Sequence, residues 1–195
     1  MTEQGGPPTA LAAGVAVLER AISYTLGSLA LVTPPLLTRP TPCAHWDLGE
    51  LLHHLNDSMT ALQEAAECGR VAITRGPDGG SVIPETKHRA VRLLGAWTNA
   101  SDATTVRVAA APLSAPVVAG AGALEVAVHG WDVAQSCGVP HPLPEDLADE
   151  LLDLAVLLVR TPDRPGRFAR PLPTTGHAPP STRLLAFLGR PVSDR

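Results

Sequence analysis

Two ionisable side chains, Glu125 and His129, lie four residues apart in the most apolar stretch of the chain, residues 115–134. In a helix, residues at this spacing lie on one face, one turn apart. A carboxylate and an imidazole are costly among apolar neighbours unless a partner compensates them. A divalent metal ion suits both groups. The spacing therefore predicts two ligands of a metal site, and a third ligand is expected elsewhere in the chain.

The helix that carries this pair has a narrow polar face. On a helical wheel, Asp132 and Ser136 fall within about 60° of the pair, and nearly all the remaining positions are apolar or small. An ordinary surface helix has a broad polar face. This pattern predicts instead a helix that is buried nearly all round, with its polar stripe lining an internal cavity. The alternative is a solvated or ion-paired stripe along a mostly buried helix.

A third ligand is expected from the second helix, which contains His53 and His54. On its wheel His54 borders the apolar stripe, whereas His53 points largely away from it, so His54 is the better candidate. The alternative for His54 is a boundary histidine that is merely hydrogen-bonded. His54, Glu125 and His129 together would leave one coordination position open, as is typical of catalytic zinc. The same ligands suit Fe²⁺, and Ni²⁺ is a further candidate.

The composition limits the classes of function. The chain has 195 residues, of which 45% are hydrophobic and 17% charged, as in a globular domain. A net charge of −4 argues against a nucleic-acid partner, because such a binding surface is expected to be basic. Neither a signal peptide nor an uncharged apolar run long enough to span a membrane is evident. Three widely spaced cysteines match no disulfide or zinc-ribbon pattern, so a reduced cytoplasmic location is expected.

Hydrophobic periodicity predicts an all-α fold, in which four main helices form a bundle and a fifth is added. Asp47 and Glu50 match a capping box at the start of the second helix, and Gly69 follows its end. A loop or weak hairpin is expected at 69–83, and a short strand or extended connector at 104–110. The helices are expected at residues 9–32, 47–67, 85–100, 117–137 and 145–160.

A single domain is expected to span residues 1–195, with its helical core at about 9–160. Residues 161–195 are rich in proline and contain one short apolar run, 184–188. They are predicted to form an irregular tail that packs across the bundle. The sequence is compatible with a monomer and with a homodimer.

Three segments resemble motifs of a known family. Residues 46–55, WDLGELLHHL, resemble the tryptophan-led helix of the DinB/YfiT-like superfamily, particularly its mycothiol-dependent maleylpyruvate isomerase branch. Residues 125–132, EVAVHGWD, resemble the second motif, and the ending at 178–190 is similar to that of a short actinobacterial subfamily. By this resemblance the metal ligand of the first motif corresponds to His54, and those of the second correspond to Glu125 and His129.

The resemblance implies a DinB-like four-helix bundle that holds a divalent metal, usually zinc. It also implies that a low-molecular-weight thiol such as mycothiol is activated there, for S-transfer to a small-molecule electrophile or for its isomerisation. Metal coordination lowers the pKa of a thiol and makes the thiolate available at neutral pH. The chain lacks room for the isomerase's separate C-terminal domain, which argues against maleylpyruvate as the substrate. The alternatives are a thiol-independent metalloenzyme, such as a lyase or cyclase of a biosynthetic pathway, and a noncatalytic metal-binding protein.

Other residues carry less specific signals. Asp132 is either an outer partner that orients a metal ligand or polar filling of the same stripe. Trp46 and Trp131 flank the ligands and are expected in the core; the alternative is that they form a wall of the cavity. A cysteine is a candidate nucleophile only beside a base, and Cys43, Cys68 and Cys137 have none nearby in sequence. The remaining histidines and several arginines are expected to be bystanders, namely His45, His88, His141, His177, Arg75, Arg89 and Arg92.

Overall fold

The computed structural model describes residues 9–43, 46–71, 81–100, 105–108, 111–164 and 168–191. These residues form six α-helices and three short strands. The helices are α1 (Ala10–Ala30), α2 (Leu48–Cys68), α3 (Val82–Thr98), α4 (Ala115–Cys137), α5 (Glu145–Leu158) and α6 (Pro180–Phe187). The strands are β1 (Arg70–Val71), β2 (Thr105–Val108) and β3 (Ala111–Ser114), and short 3-10 turns lie at Pro34–Leu36 and Thr161–Asp163.

The predominantly helical fold is confirmed, and α1 to α4 pack into a bundle in which α4 contacts α1 and α2, and α3 contacts the same two helices. α2 begins as predicted. The Asp47 side chain accepts a hydrogen bond from the Glu50 N–H, while the Glu50 side chain accepts one from the Asp47 N–H. α2 ends at Gly69, whose φ of +62° is a left-handed conformation that glycine adopts without strain.

Two helices begin earlier than predicted from their prolines. α3 starts at Val82 rather than after Pro84, and α4 starts at Ala115 rather than after Pro116. Proline is tolerated in the first turn of a helix because the N–H groups there have no acceptor within the helix. Pro84 and Pro116 therefore lie in the first turns of α3 and α4, although they were expected to precede these helices. α5 ends at Leu158, two residues earlier than expected.

A small sheet accompanies the helices. β1 pairs with β2 in parallel and β2 with β3 antiparallel, in the order β1-β2-β3. β2 falls within the extended segment predicted at 104–110, whereas β1 and β3 lie in segments expected to be loop or connector. β1 has only two residues, and β3 is exposed and contains a proline, so neither shows a recognisable alternation. The remainder of the predicted loop, residues 72–80, lies outside the described residues.

The C-terminal segment, expected to be irregular, contains the helix α6, which packs against α5. Leu184, Leu185 and Leu188 are buried in the core, so the short apolar run of this segment docks on the bundle. Glu145 at the start of α5 accepts hydrogen bonds from the backbone N–H and the hydroxyl of Ser181. The tail is thereby held to the bundle by both apolar and polar contacts.

α4 is buried along nearly its whole length, as its narrow polar face predicts. Its closest neighbour is α1, where the Thr25 hydroxyl donates a hydrogen bond to the Val126 carbonyl at 2.8 Å. Gly130 lies directly against Thr25. Because glycine has no Cβ, the two helices approach closely here. This close approach fixes how deeply the polar stripe of α4 is buried in the bundle.

One helix in the described part of the chain, α1, is long and apolar enough to cross a membrane when judged by length and composition alone. A core helix of a soluble protein passes the same test. In this fold Leu18, Ile22 and Leu29 of α1 are buried in the core. The apolar side chains of α1 therefore have partners within the protein.

Gly130→Ala is expected to lower the free energy of unfolding by about 2–3 kcal/mol, as overpacking of a well-packed core typically does. The added Cβ would overlap Thr25 Oγ1 and lie 3.1 Å from Thr25 Cα. Urea unfolding followed by circular dichroism measures the change.

Gly95→Ala in α3 is the matched control, because its added Cβ meets nothing within 4 Å. Replacing this exposed helical glycine should raise the free energy of unfolding by about 0.5–1 kcal/mol. Equal stability of the two variants would contradict the close approach of α1 and α4.

Candidate functional site

α2 and α4 bring the three predicted ligands together. His54 lies on α2, and Glu125 and His129 lie one turn apart on α4. The His54 Nε2 is 2.8 Å and the His129 Nε2 is 3.3 Å from the same Glu125 Oε1. One ligand atom from each residue lies within 4.8 Å of the others. The His53 side chain is exposed, in agreement with the choice of His54 from the helical wheel.

The site is open to solvent on one side. The His54 and Glu125 side chains keep 35% and 31% of their accessible surface, whereas His129 keeps 9%. Trp46 covers the imidazoles, with its ring centroid 4.6 Å from that of His54 and 6.5 Å from that of His129. Ser58, one turn after His54, donates a hydrogen bond to Glu125 Oε1 at 2.9 Å. An aromatic wall and a hydroxyl thus flank an accessible group of donors.

A fully buried polar network lies behind His129. Asp132 has no exposed surface, and its Oδ2 is 3.0 Å from His129 Nδ1. Arg190, which follows α6, donates from Nε to Asp132 Oδ1 at 2.8 Å and from Nη2 to Oδ2 at 2.7 Å. Asp132 therefore contacts a predicted ligand directly and does more than fill the polar stripe. Because Nδ1 of His129 faces Asp132, Nε2 faces Glu125.

Arg190 was not among the residues predicted for the site. A separation of 58 residues from Asp132 and a proline-rich setting leave no periodic signal that links the two. The only local indication is Gly189, which marks a turn directly after the apolar run 184–188. That signal predicts a change of chain direction but not which group the next side chain meets.

Cys43 has a base nearby in space, although none was identified nearby in sequence. Its Sγ donates to Asp132 Oδ2 at 3.2 Å, accepts from Arg190 Nη2 at 3.5 Å, and lies 3.8 Å from His129 Nδ1. Cys43 and Asp132 are 89 positions apart, so inspection of the neighbouring sequence could not reveal this base. Cys43, His129 and Asp132 also form a second group of metal-binding side chains. Arg190 engages both oxygens of Asp132, however, and its charge opposes a cation there.

Electrostatic interactions shift the pKa values of both the accessible and the buried ionisable groups. Burial raises the pKa of Glu125, but the imidazoles of His129 and His54 outweigh burial and hold this pKa well below its usual value. Burial lowers the pKa of His129, but Glu125, Asp132 and Cys43 outweigh it and raise this pKa well above its usual value. Burial likewise raises the pKa of Asp132, yet Arg190 and His129 lower it to about 2. Each carboxylate is thus held ionised by the groups around it.

The donor set of His54, Glu125 and His129 fits a divalent cation. Two ligand atoms that are each about 2.0–2.1 Å from a tetrahedral ion lie about 3.3 Å apart. The distance between His129 Nε2 and Glu125 Oε1 is 3.3 Å, and the 2.8 Å between His54 Nε2 and that oxygen requires only a small separation. A cation would replace the imidazole protons that compensate Glu125. Two nitrogens and one carboxylate oxygen suit Zn²⁺, Fe²⁺ and Ni²⁺.

Within the described ranges, the other histidines and arginines named above do not join this donor group. His141 stacks on Tyr24 with ring centroids 4.7 Å apart, and Arg89 pairs with Glu85 and donates a hydrogen bond to Thr60. The exposed positions include Cys68, His88, Arg92 and His177. Trp131 and Cys137 are buried. His45 and Arg75 lie outside the described residues.

The lowered pKa of Asp132 predicts a dependence of stability on pH. Its folded-state pKa of about 2 lies below the ordinary value of 3.8, so its stabilising contribution is present above pH 4 and is lost as the pH falls toward 2. The shift corresponds to about 2 kcal/mol, of which roughly half is lost by pH 3. Urea unfolding of the parent from pH 6 to pH 3 measures this loss.

Asp132→Asn should be about 3 kcal/mol less stable than the parent at pH 6, because it leaves the buried Arg190 without a carboxylate. It should also lose less stability than the parent on acidification. Asp149→Asn, on the exposed face of α5, is the control and should keep the parent's pH dependence. An identical pH dependence in Asp132→Asn and the parent would contradict the role of Asp132.

Comparison with known proteins identifies the family of this chain. The family described as the mycothiol maleylpyruvate isomerase N-terminal domain matches residues 18–134, more than half of the chain. An uncharacterized protein of Mycobacterium tuberculosis, found in two strains, is 29% identical over 178 residues, which cover 89% of this chain and 96% of that protein. The crystal structure of the mycothiol-dependent maleylpyruvate isomerase has the same fold, with a TM-score of 0.58 and 18% identity over 79% of this chain and 70% of that one. The chain therefore belongs to the mycothiol maleylpyruvate isomerase N-terminal domain family.

Proposed function

We propose that this protein is a metal-dependent enzyme that uses a low-molecular-weight thiol, mycothiol or a close relative, for S-transfer to a small electrophile or for its isomerisation. The observation that carries the proposal is the convergence of His54, Glu125 and His129 at a solvent-accessible point of the bundle. Membership of a family named for mycothiol and for an isomerase supports the thiol and the class of reaction.

In this proposal His54, Glu125 and His129 hold a divalent metal ion, with zinc favoured over Fe²⁺ and Ni²⁺. Three protein ligands and a free position are typical of catalytic zinc, whereas structural zinc has four protein ligands. The exposure of His54 and Glu125 supports a catalytic rather than a structural site, because it gives a small molecule access to the donors. The metal would lower the pKa of a thiol bound to it, so that the thiolate is available at neutral pH.

The charges around the donors favour an anionic ligand. Asp132 and Arg190 neutralise each other. With neutral imidazoles, the single negative charge of Glu125 against the two positive charges of a divalent ion leaves a net charge of +1. A thiolate would neutralise this charge, whereas a neutral ligand would leave it uncompensated in a partly buried site.

The surrounding side chains have positioning roles in this proposal. Asp132 accepts the hydrogen bond from His129 Nδ1 and so directs Nε2 toward the metal. Ser58 donates to Glu125 and limits the rotation of its carboxylate. Trp46 presents a flat apolar surface beside the imidazoles, which suits a planar, unsaturated electrophile. The electrophile would approach from the solvent side.

The proposed location is the cytoplasm, and the proposed partners are small molecules. Free cysteines suit a reducing compartment. A net charge of −4 does not favour binding to nucleic acid.

Protein purified without chelator is expected to contain about one equivalent of divalent metal per chain, as measured by elemental analysis. His54→Ala and Glu125→Ala should each weaken Zn²⁺ binding by more than about 100-fold in a competition assay, because even outer partners of a ligand typically contribute 10–100-fold. His53→Ala is the matched control, since this adjacent histidine is exposed, and it should bind Zn²⁺ as the parent does. If all three variants bind Zn²⁺ like the parent, the proposed ligands are wrong.

Addition of mycothiol to the Co²⁺-substituted protein is expected to change the visible spectrum of the metal and to introduce a thiolate charge-transfer band, because sulfur enters the coordination sphere. A mycothiol analogue that lacks the sulfur atom is the control and should leave the spectrum unchanged.

The spectrum also separates the alternatives. No response to mycothiol, together with a solvent-exchangeable position on the metal, would favour a thiol-independent metalloenzyme such as a lyase or cyclase. A fourth protein ligand and no exchangeable position would favour a noncatalytic metal-binding protein.

A further inference from the structure

The Arg190 side chain connects the C-terminal segment to the polar network behind the candidate metal site. α6 docks on α5 through Leu184, Leu185 and Leu188, all of which are buried. The chain then turns, and the Arg190 side chain enters the bundle, where only 7% of the residue remains exposed. A guanidinium is seldom buried to this extent unless a partner holds it.

Gly189 produces the turn that directs Arg190 inward. Its φ is +78°, a left-handed conformation that other residues rarely adopt, and an added Cβ would lie 2.6 Å from Ala169 Cβ and 2.8 Å from the Arg170 carbonyl oxygen. The Gly189 N–H donates to the Ala186 carbonyl, and the Arg190 N–H donates to the Leu185 carbonyl. These hydrogen bonds close the end of α6 and fix the position from which Arg190 projects.

Arg190 holds both oxygens of Asp132. Nε donates to Oδ1 at 2.8 Å and Nη2 donates to Oδ2 at 2.7 Å, in the two-pronged geometry that an arginine forms with a carboxylate. Among the residues that the structure describes, Arg190 makes the only hydrogen bond to Oδ1. Without the guanidinium, a fully buried carboxylate oxygen would lack a donor, which favours rotation of the Asp132 side chain.

His129 depends on Asp132 for its orientation. The His129 Nδ1 is 3.0 Å from Asp132 Oδ2, and this contact leaves Nε2 directed at Glu125. If Asp132 rotated, it would no longer fix the tautomer and the ring plane of His129. The hydrogen bonds therefore run in series from Arg190 through Asp132 to His129.

We propose that Arg190 is a positioning residue for the metal site, by which the docked C-terminal segment sets the orientation of His129 through Asp132. The proposal rests on the proposed function, because the metal is what the oriented His129 would bind. It assigns to the segment after α6 a role in metal affinity beyond the anchoring of the tail.

The test compares Arg190→Met, Arg190→Lys and Gly189→Ala with the parent. Zn²⁺ affinity is measured by competition with a chromogenic chelator, and folding is checked by circular dichroism and cooperative urea unfolding. Arg190→Met should bind Zn²⁺ about 10–100-fold more weakly, as expected for the loss of a group that supports a metal ligand. Arg190→Lys should restore part of the affinity, because an ammonium keeps the charge but not the paired hydrogen bonds.

Gly189→Ala should also weaken Zn²⁺ binding, because the added Cβ disturbs the turn that directs Arg190 inward. This variant removes none of the polar side chains of the network. Arg183→Gln, on α6, is the control for the loss of an arginine from the same segment and should bind Zn²⁺ as the parent does. The downfield imidazole N–H proton resonance of His129, assigned by its absence in His129→Ala, reports the contact with Asp132. It should be present in the parent and lost in Arg190→Met.

The results separate this proposal from a purely structural role of Arg190. An anchor of the tail would lower stability in Arg190→Met but leave the His129 resonance and the Zn²⁺ affinity unchanged, and that result would overturn the proposal. If Arg190→Met does not fold, Arg190→Lys and Gly189→Ala decide by the same two measurements. If the parent binds no metal, the proposed function fails by itself. The resonance then decides: its loss in the Arg190 variants supports the positioning of His129, and its retention refutes it.

Discussion

The site depends on one constraint, which is that two ionised carboxylates project from a helix that is buried along most of its length. Glu125 and Asp132 both lie on α4, and a buried carboxylate without a partner is strongly destabilising. Each is therefore compensated by groups from other parts of the chain. α2 supplies His54 and Ser58 to Glu125, and the segment after α6 supplies Arg190 to Asp132. The packing of α2 and of the segment after α6 against α4 therefore also places the groups that compensate its two carboxylates.

The two carboxylates are compensated differently. Asp132 forms a buried ion pair, whereas Glu125 belongs to the candidate metal site. Asp132 has no exposed surface and is paired with Arg190. Glu125 is partly exposed and meets imidazoles and a hydroxyl rather than a guanidinium. His129 joins the two groups, with Nδ1 toward Asp132 and Nε2 toward Glu125. The Arg190 guanidinium neutralises Asp132, the inner carboxylate. Glu125, the outer carboxylate, is accessible to solvent, and in the proposed function it binds an exchangeable metal ion.

The close contact of α1 with α4 has consequences for the same residues. Gly130 follows His129 directly and lies against Thr25. A shift of α4 at this point would change the distance between His129 and His54, which lies on another helix. The packing of the core and the spacing of the proposed ligands are therefore not independent, since both depend on where α4 lies relative to α1 and α2.

The sequence by itself determined the long helices and the three proposed ligands, because periodicity, capping residues and the spacing of one helical turn are local signals. The wheel of α2 separated His54 from His53 for the same reason. The strand β3 and the prolines in first turns were misjudged, since their structure depends on neighbours or on an exact helix start. Only the tertiary structure decided that Arg190 and Cys43 meet Asp132, because 58 and 89 residues separate them from it and only folding brings them together.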